Sequence, residues 1–518
     1  MNVLAADAIQ APSNDYLAIL PELILMGTGL LILFMLAIHR FSNVTWYALI
    51  AFAGATASAI SAIFIWFDIR DDGAALNFSG MISIDGFGTF LVILICIIVG
   101  LAILLSDDYL KREGIDKAEY YILMLFAASG MQFLALSNNL IMLFLSFELL
   151  SVCLYVLSAF NRDRMRSQEA GTKYLLLGAF SSAIMLYGIA LVYGATGSVN
   201  FSAIAQFFAN SLIENTGMVV LGMLLIVVGL GFKIAAVPFH MWTPDVYQGA
   251  PTPVVSFMAA GAKVAGFAGL FRVLETALSA LQLDWEPVLW ILAVLTMLIG
   301  SILAIVQKDT KRIIAYSAIA TAGFILIGLV AGNEAGITGS LFYLFVYTFM
   351  SAGAFAVVLV VGRRGEQYTS LDDYKGLFAR EPMLATLMTL FLLGFAGIPG
   401  TAGFVAKFSV FAAAADSGHW WLILIGAIAS VVSLVFYLRL IVAMYMDEPE
   451  DPEFADAEVA RSGDLIVPRL RIPLSVQLLL GITASATVFW GILPNNLLVF
   501  AGEAGLFFGE FVDAATPF

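Results

Sequence analysis

Apolar runs about 20 residues long recur from one end of this chain to the other. They lie near residues 17–38, 44–67, 86–106, 119–136, 138–160, 169–196, 217–240, 250–276, 285–305, 311–331, 335–361, 383–412, 419–446 and 474–497. A helix needs about 20 residues to cross roughly 30 Å of hydrocarbon, and within lipid each backbone polar group must be satisfied inside a helix or a closed barrel. Fourteen such runs joined by short polar loops predict an all-α, polytopic membrane protein. Composition agrees, because 61% of the 518 residues are hydrophobic and only 12% are charged, against roughly a quarter charged in a soluble domain.

The bases orient the spans, since cytoplasmic loops collect Lys and Arg. With the amino terminus outside, the inside loops hold Arg40; Lys111, Arg112 and Lys117; Arg162, Arg164 and Arg166; Lys308, Lys311 and Arg312; Arg363, Arg364, Lys375 and Arg380; and Arg461, Arg469 and Arg471. The outside loops hold Arg70 alone, a split of 17 to 1 that one miscounted helix before the last spans would scramble. Fourteen is even, so both termini are expected on the outer side. The first 16 residues carry Asp7 and Asp15 and no base, unlike a cleavable signal, so the first helix is expected to stay in the mature protein.

Several function classes are excluded at this stage. A net charge of −14 opposes nucleic-acid binding, and the acidic run "DEPEDPEFADAE", Asp447 to Glu458, reads as a solvated loop. Cys96 and Cys153 each sit inside an apolar helix, which leaves no disulfide framework and no metal or iron–sulfur spacing. Neither a phosphate-binding loop nor a strand-borne dinucleotide fingerprint occurs. Any redox or nucleotide chemistry is therefore expected on other chains.

Six bases fall within spans or near their ends: Lys173, Lys233, Lys263, Arg272, Lys407 and Arg439. Arg272 and Arg439 come late in their helices, where long stems are expected to snorkel to an interface. Lys173 follows Glu169 by one turn and forms a favourable pair near the cytoplasmic end, so a structural role stands beside a relay role for it. Lys233, Lys263 and Lys407 lie deep, as does Glu148 within "LIMLFLSFELLSVCLYVL". Each such charge costs about 2.5–3.5 kcal/mol on insertion scales, of order 10 kcal/mol for the four together.

Two readings of that cost remain open. The four groups could form structural ion pairs, or they could carry protons, since burial brings lysine and carboxyl into a range where they exchange them. If Glu148 and Lys233 approached to about 5 Å, their attraction would be roughly 3 kcal/mol, enough to switch whether the lysine keeps its proton.

Two spans are interrupted beside these lysines. In "GFKIAAVPFHMWTPDVYQGAPTPV" Pro238 follows Lys233, and in "GFAGIPGTAGFVAKF" Gly397, Pro399, Gly400 and Gly403 precede Lys407. Irregular backbone at membrane depth survives only against protein or water, so a cavity beside Lys233 is expected. Breaks five spans apart point to an inverted repeat with its site at the repeat interface, although Pro and Lys stand in opposite order in the two. His240 lies seven residues after Lys233, on one face if the helix were unbroken, and is a further candidate for passing protons. Glu22 in "LPELIL" and Asp85 in "ISIDGFG" sit near span ends, where capping or helix contact is expected.

The segments "SFELLSVCLYVLSAF", "EAGTKYLLLGAFSSAIMLYGIALVYGATG", "GFKIAAVPFHMWTPDVYQGAPTPV", "KRIIAYSAIATAGF" and "GIPGTAGFVAKF" closely resemble the N-type membrane subunits of bacterial NADH-quinone oxidoreductase, respiratory complex I. The resemblance covers roughly residues 120 to 445. It implies an antiporter-like fold with three leading helices over 1–118, a first five-helix bundle over 119–276 and an inverted second bundle over 285–446. An acidic cytoplasmic loop over 447–473 and a last helix with its tail over 474–518 would complete the chain. Glu148 and Lys233 match the family's coupling ion pair, Lys263 its central lysine and Lys407 its lysine toward the exit side, while Pro238 and Pro399 mark the broken helices. Many relatives have histidine where this chain has Thr321, so water, Ser317 or Tyr316 is expected to join Lys263 to Lys407.

What the family implies about surroundings is equally specific. NADH, FMN, iron–sulfur clusters and quinone belong to other subunits, M-type and K-type chains lie alongside in the lipid, and the membrane is the bacterial inner one. Related M-type subunits, which typically carry glutamate at the position of Lys407, cation/proton antiporter chains and a secondary transporter of a small solute are the alternatives. A purely structural scaffold would tolerate neutral, size-matched substitutions at all four charges.

Overall fold

A computed structural model describes residues 15–38, 43–210, 217–447 and 472–515 of the protein. Most of the expected acidic loop, with Arg461, Arg469 and Arg471, and also Arg40 lie outside the described residues. The first helices are α1 (Leu20–Ile38), α2 (Thr45–Asp72) and α3 (Gly86–Glu113). There follow α4 (Ala118–Ala135), α5 (Leu140–Ser158), α6 (Met165–Thr196), α7 (Phe201–Asn210), α8 (Gly217–Ile234), α9 (Trp242–Gly249) and α10 (Thr252–Phe271). Next come α11 (Gln282–Ile305), α12 (Thr310–Ala331), α13 (Glu334–Gly362), α14 (Leu377–Arg380), α15 (Pro382–Ala396), α16 (Ala402–Asp416) and α17 (Trp420–Met446). The chain closes with α18 (Leu474–Ile492) and α19 (Asn495–Ala515).

Among the described residues, 13 helices are long and apolar enough to cross a membrane. The remaining span of the expected fourteen is made by α15 and α16 together, each 15 residues long and too short to cross alone. This is the polytopic all-α architecture read from the apolar runs. Every residue of α10 is buried, and α12 and α13 are nearly so, which makes these three the spine of the bundle. Exposed apolar side chains such as Phe64, Leu176, Phe180 and Val431 lie on peripheral helices, the faces that meet lipid.

Two outer elements escape the span pattern. A hairpin of β1 (Ala75–Asn77) and β2 (Ile82–Ile84) joins α2 to α3, and Ser83 N donates to Leu136 O at the end of α4. What the sequence reading left as a tail after the last span is the helix α19. Its Phe500 packs on Trp66 and Phe90, and its Phe508 on Phe87, so α19 folds back over the end of α2 and the start of α3.

Both interrupted spans end their first half in the same way. At the end of α8, Ala235 takes a left-handed conformation (φ 61°), and Ala236 N donates to Gly231 O at 2.8 Å. At the end of α15, Gly397 is left-handed (φ 80°) and Ile398 N donates to Leu393 O at 3.0 Å. Each is the six-to-one closure that satisfies helix-end carbonyls. Pro238 stands four residues after the last residue of α8, the spacing at which its ring would strike a helical carbonyl. Freed groups find partners in the bundle: Trp242 Nε1 donates to Phe232 O at 2.9 Å and Val237 N to Thr296 Oγ1 at 2.9 Å. In the second break, α16 crosses so close to α15 that a Cβ on Gly403 would lie 1.8 Å from Gly394 O.

Ala235 carries a side chain where the left-handed closure favours glycine, at a penalty of roughly 1 kcal/mol. Ala235→Gly is therefore expected to stabilise the protein by up to about 1 kcal/mol, read as a rise in the thermal midpoint of the purified protein. An unchanged or lower midpoint counts against strain at this position.

Candidate functional site

Lys233 is the penultimate residue of α8 and only 2% exposed. Its Nζ donates to Ser151 Oγ of α5 at 2.8 Å and to Tyr174 OH of α6 at 3.4 Å. The rings of Phe147, Tyr174 and Tyr155 surround it at 4.8, 5.3 and 5.9 Å. Tyr174 is in turn stacked on Trp242 of the second half-helix, 4.4 Å away and 9° from parallel. Neutral oxygens and aromatic faces thus hold this cation.

The expected coupling pair is not in contact. Phe147 and Ser151, one turn apart on α5, face Lys233, and Glu148 lies on the flank of that face, one turn from the exposed Leu145 and Val152. Glu148 is half-buried, and its Oε1 is buried with no hydrogen-bond partner. No ion pair joins Lys233 of α8 to Glu148 of α5; the Ser151 hydroxyl is on the ammonium instead.

Lys263, 3% exposed, sits midway along α10. Its Nζ donates to Ala318 O of α12 at 2.5 Å and lies 5.2 Å from the centre of the Tyr347 ring. Lys407, 6% exposed, belongs to α16 but reaches back across the break. Its Nζ donates to Ala396 O, at the carbonyl end of α15, at 2.9 Å and to Ser430 Oγ at 3.3 Å, and it lies 4.4 Å over the Phe324 ring. The opposite order of Pro and Lys is resolved here: either lysine serves a broken span from the carbonyl end of its first half-helix, where the helix dipole favours a cation. Its stem passes so near Gly397 that a Cβ there would lie 2.8 Å from the lysine Cδ.

Lys263 and Lys407 both touch α12, at Ala318 and at Phe324. Between them Thr321, which stands where histidine was expected, donates to Ser317 O at 2.9 Å, and Ser317 Oγ pairs with Tyr437 OH of α17 at 2.5 Å. Tyr437 stacks on Phe395, the neighbour of Ala396. Ser317 and Tyr437 thus form a hydroxyl pair beside the α12 segment that both lysines touch, and no hydrogen bond among the described residues joins that pair to either Nζ; the sequence reading missed Tyr437. Tyr316 forms no hydrogen bond among the described residues.

His240 is half-buried in the turn between α8 and α9 with a buried, unpartnered Nδ1. The left-handed step at Ala235 removes the helical register that would have aligned it with Lys233. Lys173 keeps its Glu169 pair at 2.7 Å and adds Asp245 of α9 at 2.8 Å, a half-exposed bridge fixing α6 to α9. Arg272 does not snorkel: it is 1% exposed and grips Asp85 through Nη1 and Nη2 at 2.5 and 2.8 Å, because a buried acid waits at the start of α3. Asp85 also caps α3 by accepting from Gly88 N at 2.8 Å, as its position suggested. Arg439 binds the last carbonyls of α11, Ile305 O at 2.8 Å, and Glu22 is fully buried in the first turn of α1. Missed altogether was Glu366, read within a polar loop and in fact buried at the meeting point of five segments.

Comparison with known proteins fits this arrangement. Residues 137–433 match the family described as NADH:quinone oxidoreductase/Mrp antiporter, and residues 24–135 match the amino terminus of NADH-ubiquinone oxidoreductase chain 4. NADH-quinone oxidoreductase subunit N of Trichlorobacter lovleyi is 42% identical over 94% of this chain and 96% of its own. Subunit N 1 of Solibacter usitatus is 40% identical over 95% and 97%. Among solved structures, a chain of respiratory complex I from Thermus thermophilus superposes with a TM-score of 0.75 at 30% identity, covering 92% of this chain and 98% of that one. A chain of the Mrp complex from a Dietzia species shares the fold, with a TM-score of 0.83 at 21% identity over 97% and 100%. With a family match over more than half its length and relatives 40–42% identical across nearly all of it, the chain belongs to the subunit N family of NADH-quinone oxidoreductase, a multi-pass membrane component of a respiratory complex.

Proposed function

We propose that this chain moves protons across the membrane along Glu148, Lys233, Lys263 and Lys407, driven by quinone reduction elsewhere in the complex. One observation carries the reading: three lysines at membrane depth are each held by neutral oxygens and aromatic rings, with no ion pair among the described residues. An ammonium locked to a carboxylate keeps its proton, whereas one held by neutral donors can release it when the nearby field changes. A charge arriving beside Glu148 would alter the field at Lys233 and start the transfer.

Water is the medium the site calls for. Glu148 Oε1 and Ser146 Oγ are buried without a protein partner. Buried polar atoms are nearly always hydrogen-bonded, and within a bilayer the partner left to them is water. Ser317 and Tyr437 would carry the link from Lys263 to Lys407 that Thr321 cannot.

The outward stripe of α5 bears on partners. A carboxylate halfway along a face that otherwise shows Leu145, Val152 and Val156 is costly against acyl chains. This face is accordingly assigned to a neighbouring membrane subunit, K-type or M-type in this reading, that brings a polar or titratable group to Glu148. NADH, FMN, iron–sulfur clusters and quinone would be handled by other subunits. The membrane would be the bacterial inner membrane, with both termini outside.

The test is Lys233→Met in the assembled complex in sealed vesicles. Proton translocation and quinone reduction are expected to fall together by about fivefold, since roughly 1 kcal/mol of barrier suffices for that. Undiminished proton translocation would remove Lys233 from the path.

A further inference from the structure

The relay leaves unused a knot of charge at the inner end of α10. Glu366 follows α13 in a tight turn in which Arg363 and Glu366 both take positive φ, 50° and 47°. Its side chain is 1% exposed. Oε1 accepts from Tyr109 OH at 2.8 Å, Thr252 N at 2.8 Å and Thr252 Oγ1 at 2.6 Å, and Oε2 accepts from Lys311 Nζ at 3.0 Å and from Arg164 Nη1. Lys311, itself fully buried, also donates to Ala250 O at 2.8 Å. The carboxylate joins α3, the α5–α6 turn, the first residue of α10, the start of α12 and the end of α13.

We propose that this knot is a proton seal: it closes the inner end of α10, the short way from inside water to Lys263, so that protons reach Lys263 through the Lys233 side. Thr252 and Lys263 are eleven residues apart on one buried helix, roughly 16 Å along its axis. A hopping proton needs a continuous file of acceptors with free lone pairs. Here five donors converge on a carboxylate with about four acceptor sites, so none is left for water. Arg164 and Lys311 both donate to the one carboxylate, which leaves it no lone pair to receive an incoming proton. The contrast with the lysine row is direct: Lys263 Nζ donates to a single protein acceptor, Ala318 O.

The knot stays charged in use. Burial alone would raise the Glu366 carboxyl, but Lys311 and then Arg164 hold it down at about 2, below its ordinary 4.5. A depressed value means that its stabilisation is complete above 4.5 and lost only as pH falls toward 2.

The route assigned to the protons rests on the relay reading; the seal itself is measured independently, in the resting complex without NADH. Intact complex carrying Glu366→Gln is placed in sealed vesicles, and passive proton conductance is read after an acid pulse. An amide cannot neutralise Arg164 and Lys311, so water follows the uncompensated charges and conductance is expected to rise about fivefold or more, while Glu366→Asp stays within about twofold of the unaltered complex. Unchanged conductance in assembled Glu366→Gln overturns the seal. Should that variant fail to assemble, hydrogen exchange of the unaltered complex decides: the amides of Thr252 and residues 254–256 should exchange as slowly as those around Lys263. Exchange at the rate of exposed loop amides overturns it. Normal pumping in a Lys263 variant would sink the relay and leave the conductance result standing.

Discussion

Lys263→Met is expected to give a complex that assembles and neither pumps protons nor reduces quinone at more than roughly a hundredth of the normal rate, about 2.7 kcal/mol of added barrier. Methionine keeps the length and flexibility of the lysine stem but cannot hold a proton. α10 carries no other titratable side chain, so no neighbour on that helix can take over. Stability should not suffer. The lost bond to Ala318 O is worth about 1 kcal/mol, while removing a deep ammonium relieves about 3 kcal/mol on insertion scales. The measurements are the assembled fraction on a native gel, NADH-driven quinone reduction and proton uptake into vesicles. Normal pumping in assembled variant would take Lys263 out of the mechanism.

Arg272→Met should produce the largest stability loss, about 3–5 kcal/mol, because it leaves Asp85 fully buried without its counter-ion, with only the helix-cap bond from Gly88 N. The guanidinium is held on every side: two nitrogens on Asp85, Nε on Ala135 O at 2.9 Å, and Phe87 and Phe508 over its faces at 5.1 and 5.4 Å. Its removal exposes a carboxylate that no lipid or side chain can solvate. Thermal unfolding of the purified protein reads the effect, and the double variant Asp85→Asn with Arg272→Met should recover most of it, since replacing both partners of a buried pair is often close to neutral. Equal losses in the single and double variants would show that packing, not charge, dominates.

The spans could be read from the chain because lipid imposes a rule that acts locally: about 20 apolar residues for each crossing. The deep lysines were legible for the same reason, as charges where hydrocarbon penalises them. Pairing between distant segments leaves no such mark. Arg272 and Asp85 are 187 residues apart, and nothing near either one signals the other, so a snorkelling arginine was the natural reading. Glu366 looked like one more loop acid in "RRGEQYTS", and its donors come from as far as Tyr109, 257 residues away. Orientation around a helix was only half legible. Glu148 was correctly read as deep, but whether it faced Lys233 or the outside of the bundle depended on which side of α5 packs inward, and a helix apolar all round does not reveal that.

The position of Phe508 has a consequence for biogenesis. Translation runs from the amino end, so the start of α3 and the end of α10 are made long before α19 exists. Until the final stretch of polypeptide leaves the ribosome and crosses to the far side, the guanidinium of Arg272 is roofed by Phe87 alone. The earliest-made part of the molecule thus waits on the latest-made part for its lid, and a nascent chain that stalls near its end would release an unfinished first bundle rather than a nearly complete protein.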